Sequence, residues 1–331
     1  MEIKLKTLTP IWTGGVETSR MDRLHETGLI GSLRWWYEAI VRGLGGRACD
    51  PTEHSCIYDP EKANSLCDAC RVFGATGWRR RFRLVVQETQ MQPQQVPHRM
   101  DRMEADRSYK DSYGKDKIPT WYFKNPPQEG DFSVQLLSLA PQFSVELIQG
   151  LIQLAVDWTA LGARTQMGFG VTELVGERLT TNPFNDLQLT GSGSSSKLPS
   201  LQNMFFARIQ QAKATDRETF NLKYDLRRLF AHEQFVRHFV MGTVRGDRKA
   251  AKIHMSRPYA DGIIRVWGWV PNKADVWNNK WNRDNVLIQI KSHLVTNYQL
   301  RSWREFNNSR DTNQQYTDAR AFLHSLWEGK E

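Results

Sequence analysis

The sequence predicts an α+β fold in two domains, and three observations lead there. At 331 residues the chain exceeds the usual single-domain size and can bury two ordinary cores. The spacing of apolar residues switches repeatedly between two and 3.6, so strands and helices alternate along the chain. The run Gly191-Ser-Gly-Ser-Ser-Ser196 is flexible by composition, which sets domains at 1–180 and 198–331 with a linker at 181–197. With 40% hydrophobic residues and twelve tryptophans, the bulk of the chain carries more apolar area than a disordered one.

Residues 2–8 alternate apolar and polar, which predicts a half-buried strand that Pro10 stops. The polar loop after it carries Arg20, Asp22, Arg23 and His25, and a loop held between a strand and a helix is a good place for binding groups. Glu26-Thr-Gly-Leu-Ile-Gly-Ser-Leu-Arg-Trp-Trp-Tyr37, running on to Gly45-Gly46, reads as an amphipathic helix. Its stripe is Ile30, Leu33, Trp36, Tyr37, Ile40, Val41 and Leu44. Trp35 falls on the opposite face beside Gly31, Glu38 and Arg42. There it either stacks on a base together with Arg34 or lies under another domain.

Cys49, Cys56, Cys67 and Cys70 share a 22-residue segment, with His54 as a substitute ligand. Four soft thiolates fit tetrahedral zinc; unliganded or redox-active cysteines are the alternative. After a glycine-punctuated turn, residues 79–86 predict a strand with Arg79, Arg81 and Arg83 on one face. Three guanidiniums in register suit phosphate tracking, and equally a solvated face. Residues 90–118 hold almost no aliphatic core and predict a projecting hairpin or mobile loop.

A strand over 132–139 and a helix over 145–161, apolar nearly all round, follow. Gly162-Ala-Arg-Thr-Gln-Met-Gly-Phe-Gly170 comes next, then a strand over 171–175. Its glycines permit close approach to a phosphate or to another backbone, and Arg164 and Thr165 offer donors. The first half thus reads β, α, insert, β, insert, β, α, β. That order gives a ferredoxin-like (RRM-like) βαββαβ unit with a zinc-binding insert at 49–70 and a projecting loop at 90–118. The second half predicts strands over 198–209 and 263–270, helices over 222–241 and 286–295, and a polar tail from 302 ending in a short helix.

Lys plus Arg against Asp plus Glu count 22 and 22 over residues 1–180, but 23 and 14 over 181–331, so the net +9 sits in the second half. Net positive charge attracts polyanions, which makes RNA or DNA a reasonable partner. The densest basic region runs from Arg227 to Arg257 and includes Lys249 and Lys252, with His232, His238 and His254 among them. No apolar run approaches the roughly 20 residues that cross a bilayer, and the N-terminus lacks a signal-peptide pattern. A cytoplasmic location is expected, with no membrane partner.

Leu8-Thr-Pro-Ile-Trp-Thr-Gly-Gly15, Thr27-Gly-Leu-Ile-Gly-Ser-Leu-Arg-Trp-Trp36, Phe73-Gly-Ala-Thr-Gly-Trp78 and the glycine-rich loop at 162–170 together closely resemble the RAMP superfamily of CRISPR proteins. The helix signature with two tryptophans looks like the subunits of the Cmr, or type III-B, effector complex. The resemblance implies two ferredoxin-like domains in a non-catalytic, RNA-binding subunit of an antiviral complex. Such a subunit sits among other RAMP subunits and holds the duplex of guide RNA (crRNA) and target RNA near the guide 3′ end. Carried over by motif, Gly31, Ser32 and Arg34 face RNA at the helix start, and Arg164, Thr165, Met167 and Phe169 lie in the loop. With Arg20, His25, Trp35, Arg79, Arg81, Arg83, Lys249, Lys252 and Arg257, these are the expected RNA contacts. Related subunits cut target RNA with an aspartate in the loop between first strand and helix, where Asp22 stands here. A metal-dependent endoribonuclease acting through Asp22, or guide processing by His25 or His254, is therefore the alternative; a protein-interaction cap facing an acidic partner is a third.

Overall fold

The computed structural model describes residues 1–17, 20–53, 55–94, 109–110, 113–117, 126–190, 197–244, 246–314 and 316–329. His54, the glycine-serine run at 191–196 and most of the expected projecting loop lie outside the described residues. The protein is a mixed α+β fold with two four-stranded antiparallel sheets.

The first sheet is built from β1 (Glu2–Thr7), β2 (Phe82–Pro93), β5 (Gln128–Ser138) and β6 (Thr172–Val175), in the order β2-β5-β1-β6. A two-stranded ribbon of β3 (Tyr109–Lys110) and β4 (Asp116–Lys117) interrupts the sequence between β2 and β5. Ile3, Leu5 and Thr7 of β1 are buried while Glu2, Lys4 and Lys6 are exposed, as the period-two alternation requires. Helices α1 (Glu26–Gly43) and α3 (Glu146–Trp158) share one hydrophobic core with the buried face of this sheet. Between α1 and β2 lies the cysteine-rich insert, which ends in α2 (Asp68–Phe73).

The second sheet joins β7 (Met204–Gln210), β8 (Ile253–Met255), β9 (Ile263–Trp269) and β10 (Gln299–Glu305) in the order β10-β7-β9-β8. Counted within each half, both sheets have the strand order 4-1-3-2. Alternation along β7 divides its side chains: Phe205, Ala207 and Ile209 pack in a core with α4 (Glu218–Arg228), α5 (Gln234–Met241) and α6 (Arg283–Asn297). Met204 and Phe206 point the other way, into the core of the first half, where Phe206 meets Trp36 and Trp158 at ring distances of 6.0 Å. The second sheet is therefore covered on both faces. Arg265 of β9 fixes the joint by donating to the carbonyls of Val156 (2.5 Å) and Thr159 (2.9 Å) at the C-terminal end of α3, where helical carbonyls lack intrahelical partners. Finally α7 (Ala319–Glu328) closes the same core through Phe322, Leu323, Leu326 and Trp327.

Several boundaries differ from the sequence reading, each for a local reason. β2 starts at Phe82 rather than at 79, because Arg81 N–H bonds the carbonyl of Val72 at the end of α2 and not a neighbouring strand, and it runs on to Pro93, into the expected loop. The strand expected from 198 starts at Met204, since Ser200 caps a one-turn 3-10 helix at Leu201–Asn203. The single helix expected over 222–241 is two, α4 and α5: the apolar stripe Leu222, Leu226, Phe230 resumes at Val236 and Val240, about 240° out of phase for a continuous helix. Within the expected linker, Asn182 and Phe184 are buried, and Phe184 packs edge-on against Trp327. Glu38 and Arg42, expected on the open face of α1, are buried: Arg42 donates to the carbonyls of Cys49 (2.7 Å), Ala48 (3.2 Å) and Pro199 (3.1 Å).

Candidate nucleic-acid interface

The four cysteines converge, with their Sγ atoms all within 4.8 Å of one another. Zn–S bonds of about 2.3 Å set tetrahedral sulfurs roughly 3.8 Å apart, and Cys49 Sγ and Cys70 Sγ are 3.6 Å apart. Backbone N–H groups of Cys49 and Cys70 aim at Cys67 Sγ, and that of Cys67 at Cys56 Sγ, each at 3.4 Å. A hydrogen bond from Cys70 pulls the Cys67 thiol down to about 4. Burial, with the neighbouring Cys67, pushes Cys49 up to about 11, and the bond to Cys67 raises Cys70. Ionisation of one thiol thus opposes that of its neighbours, and a divalent cation is the group that lets all four deprotonate. Arg34 joins this cluster. It donates to Cys70 Sγ (3.2 Å), Glu38 (2.8 Å) and the Gly74 carbonyl (3.3 Å), so its guanidinium is tied to the insert. Trp35 is half-buried and meets Trp36 edge-on at 5.0 Å.

On the same helix Gly31 is exposed, and a Cβ there would meet nothing within 4 Å; Ser32 is half-exposed beside it. In the preceding loop His25 Nε2 and Asp22 Oδ1 lie 2.8 Å apart, which lowers the Asp22 carboxyl. Arg20 pairs with Glu17 at 2.5 Å. A cavity of about 440 Å³ lies among Val16, Glu17, Arg20, Met21 and Asp22. Among the described residues, Asp22 belongs to no group of three or more metal-ligating side chains. Arg81 stacks over Trp78 at 4.1 Å, with Tyr58 against the same indole at 4.7 Å, while Arg79 and Arg83 are exposed.

The glycine-rich loop resolves its two readings toward backbone contact. Gly162, Gly168 and Gly170 all have φ between +85° and +93°. A Cβ would lie 2.5 Å from the Trp12 carbonyl at Gly162 and 2.8 Å from Arg257 N at Gly168, and would strike the Leu161 carbonyl at Gly170. The loop is a crossing of three chain segments. Met167 and Phe169 are buried, as is Arg257, which bonds the Gly168 carbonyl through its backbone N–H (3.1 Å) and pairs with Asp216 at 3.4 Å. Phe169 and Arg257, which do not reach solvent, serve packing. Exposed or half-exposed at the loop tip are residues 163–166. Arg164 lies over the Trp12 ring at 4.0 Å. Thr165 Oγ1 bonds His254 Nδ1 at 2.8 Å, and His254 stacks on Trp267 at 5.7 Å. Burial, with Lys223 adding, pushes His254 down to about 4.

Next to this tip opens a cleft of about 1230 Å³. Its walls are α4, α5, the segment after α5 and Gln166 and Met167 of the loop; its cations are Lys223, Arg227, Arg237 and Lys249, with the His238 imidazole among them, and its carboxylate is Asp247. Arg227 donates to the Gly242 carbonyl (2.8 Å), Arg237 to Ala231 (2.9 Å) and Lys223 Nζ to Gln166 (2.8 Å). Neutral carbonyls therefore hold Lys223, Arg227 and Arg237 in place without removing their charge, while Lys249 pairs with Asp247 at 3.5 Å. Burial and Arg227 push Lys223 down to about 8, and burial, Arg227, Arg237 and Lys249 lower His238. Mutual repulsion of this kind is relieved by a polyanion. Of the expected residues Met167 and Lys249 line the cleft; Lys252 instead bonds the Phe239 carbonyl (3.0 Å). Arg227, Arg237 and His238 lay in the basic region of the sequence, and their convergence awaited the fold.

A family model described as the RAMP superfamily matches residues 4–173. No curated protein sequence matches the chain. Among solved structures, Cmr1 from Pyrococcus furiosus is similar at 18% identity over 88% of this chain and 96% of that one, with a TM-score of 0.46. A chain of the type III-B Cmr-beta complex bound to cognate target RNA is similar at 11% identity, over 88% and 99%, with a TM-score of 0.47. Cmr6 from Pyrococcus furiosus is similar at 14% identity over 53% and 97%, with a TM-score of 0.29. No helix among the described residues is long and apolar enough to cross a membrane.

Proposed function

The chain belongs to the RAMP superfamily, and from that premise we propose that it is an RNA-binding architectural subunit of a type III-B CRISPR effector complex in the cytoplasm. In this reading each half is a ferredoxin-like domain, one at 1–180 and one at 198–331. Together with other RAMP subunits the protein holds the duplex of guide and target RNA near the guide 3′ end. Base pairing reads sequence, and the protein contacts backbone and shape. The observation that carries RNA binding, whether paired or unpaired, is the convergence of Lys223, Arg227, Arg237 and Lys249 beside the tip of the glycine-rich loop. Zinc, held by Cys49, Cys56, Cys67 and Cys70, cross-links the insert, and Arg34 ties that insert to α1 through Cys70 Sγ.

The deciding experiment is binding of labelled guide RNA, alone and annealed to target, across a salt series. Binding that weakens steeply with salt, with a slope reduced by about one on removal of each phosphate-contacting cation, supports the reading. RNA binding unaffected by the double variant Arg227→Ala, Lys249→Ala would sink it.

The Asp22–His25 pair keeps one second reading in play. A carboxylate beside an imidazole can take a proton from a 2′-hydroxyl, so the same samples are assayed for cleavage. Products that vanish in Asp22→Ala make the protein an endoribonuclease. We expect cleavage by the assembled complex to be unchanged in that variant.

A further inference from the structure

The basic cleft has a second feature that charge does not explain. Phe235 on one wall is 79% exposed and Val244 on the other is 85% exposed. On α5 the buried residues are Val236, Val240 and Met241, so Phe235 stands on the side of the helix away from the core that formed it. His238 follows three residues later, on the same face and about 4.5 Å along the helix axis. Tyr224, Phe235 and His238 thus bring planar rings to a groove that also holds Arg227 and Arg237, fixed by backbone carbonyls, and Lys249, paired with Asp247 at 3.5 Å. The factors that lower the His238 imidazole favour its neutral, stacking form.

A charged groove alone is indifferent to whether its polyanion is paired. Aromatic rings are not: a duplex buries its base faces in its own stack, and only unpaired nucleotides can lay a base on a side chain. Cationic groove plus exposed aromatics is the combination that holds single strands, where phosphates track the charges and bases stack. We infer that this cleft takes an unpaired stretch of RNA rather than the guide–target duplex. Phe235 is the stacking platform, and Arg227, Arg237 and Lys249 receive the flanking phosphates. The inference rests on the RNA-binding reading above and assigns one part of the RNA to one place.

Fluorescence anisotropy on the full chain tests it with three probes: a blunt RNA duplex, the same duplex with an oligo(U) tail, and poly-glutamate as a competitor. The tail is expected to tighten binding about tenfold, and Phe235→Ala to abolish that gain while leaving the blunt duplex unchanged. Phe235→Trp, which keeps a ring on an exposed position, is expected to preserve the gain. A tail that adds nothing, or a Phe235→Ala variant that weakens blunt and tailed duplex equally, overturns the inference and leaves the RNA-binding reading standing. Poly-glutamate that displaces the tail as well as unlabelled oligo(U) does overturns it in favour of an acidic protein segment. If no RNA binds at any salt concentration, the reading itself fails and the inference with it.

Discussion

Gly31 occupies the second turn of α1, exposed, with space where a Cβ would go. Glycine inside a helix costs roughly 0.5–1 kcal/mol relative to alanine, and nothing inside the chain calls for it. Gly31→Ala is therefore expected to raise the urea midpoint by an amount worth about 0.5–1 kcal/mol while weakening RNA binding or assembly of the complex. Stabilisation with unimpaired binding would assign the glycine no part in the interface. His254 shows the opposite relation between a residue and its surroundings. Its folded pKa of about 4 lies below the 6.5 of a free imidazole, so between those values the unfolded chain binds a proton that the folded chain does not. Stability then rises with pH through that window, and acidification from 6.5 to 4.5 is expected to remove on the order of 1–3 kcal/mol. Urea titrations of His254→Gln should show a shallower pH dependence in that range than the parent.

At the scale of elements, the insert and α1 form one unit. Arg34 and Arg42 run from the helix to Cys70 Sγ and to the carbonyls of Ala48 and Cys49, and Asp68 of α2 bonds Arg47 N–H (2.8 Å) and Thr190 N–H (2.9 Å). On the proposed zinc site, removing the metal would leave crowded thiols and the partners of both arginines without their anchor. Chelation or Cys70→Ser is expected to release equimolar zinc, measured by elemental analysis, and to lower the melting temperature of the whole chain. Full-length protein that is zinc-free as purified, with an unchanged melting temperature after chelation, would contradict this. The sequence made this element legible because its ligands lie within one short segment. It left open the direction of Arg34, because a guanidinium at the helix surface points wherever the fold supplies acceptors.

For the whole molecule, the packing of β7 and β9 against α1 and α3 decides how the halves behave. Phe206 sits on Trp36 and Trp158, and Arg265 supplies donors to the end of α3. A fragment of residues 1–180 therefore exposes the outer faces of both helices and is expected to aggregate during purification, while the full chain stays monodisperse by size-exclusion chromatography. A monomeric, cooperatively folding fragment would show the halves to be independent. Cutting at the glycine-serine run is thus a change in the core and not only in a tether.

What the sequence determined by itself is what local periodicity and local spacing encode. The order of strands and helices in the first half, the thiol cluster and the place of the glycine-rich loop all follow from residues within single short segments, whereas the burial of Glu38 and Arg42 on α1 does not. It did not disclose β10, because Arg304 and Glu305 lie buried in that strand, and their burial depends on Asp311, Arg283 and Arg310 from elsewhere. Nor did it show that the three loop glycines admit backbone rather than phosphate, since that depends on Trp12, Leu161 and Arg257 arriving there. The cleft is the clearest case. Gln166, Lys223, Phe235 and Lys249 are dispersed along the chain and meet only after both sheets have formed. Charge and aromaticity are written residue by residue, but a binding surface depends on which distant residues share a volume, and tertiary packing alone decides that.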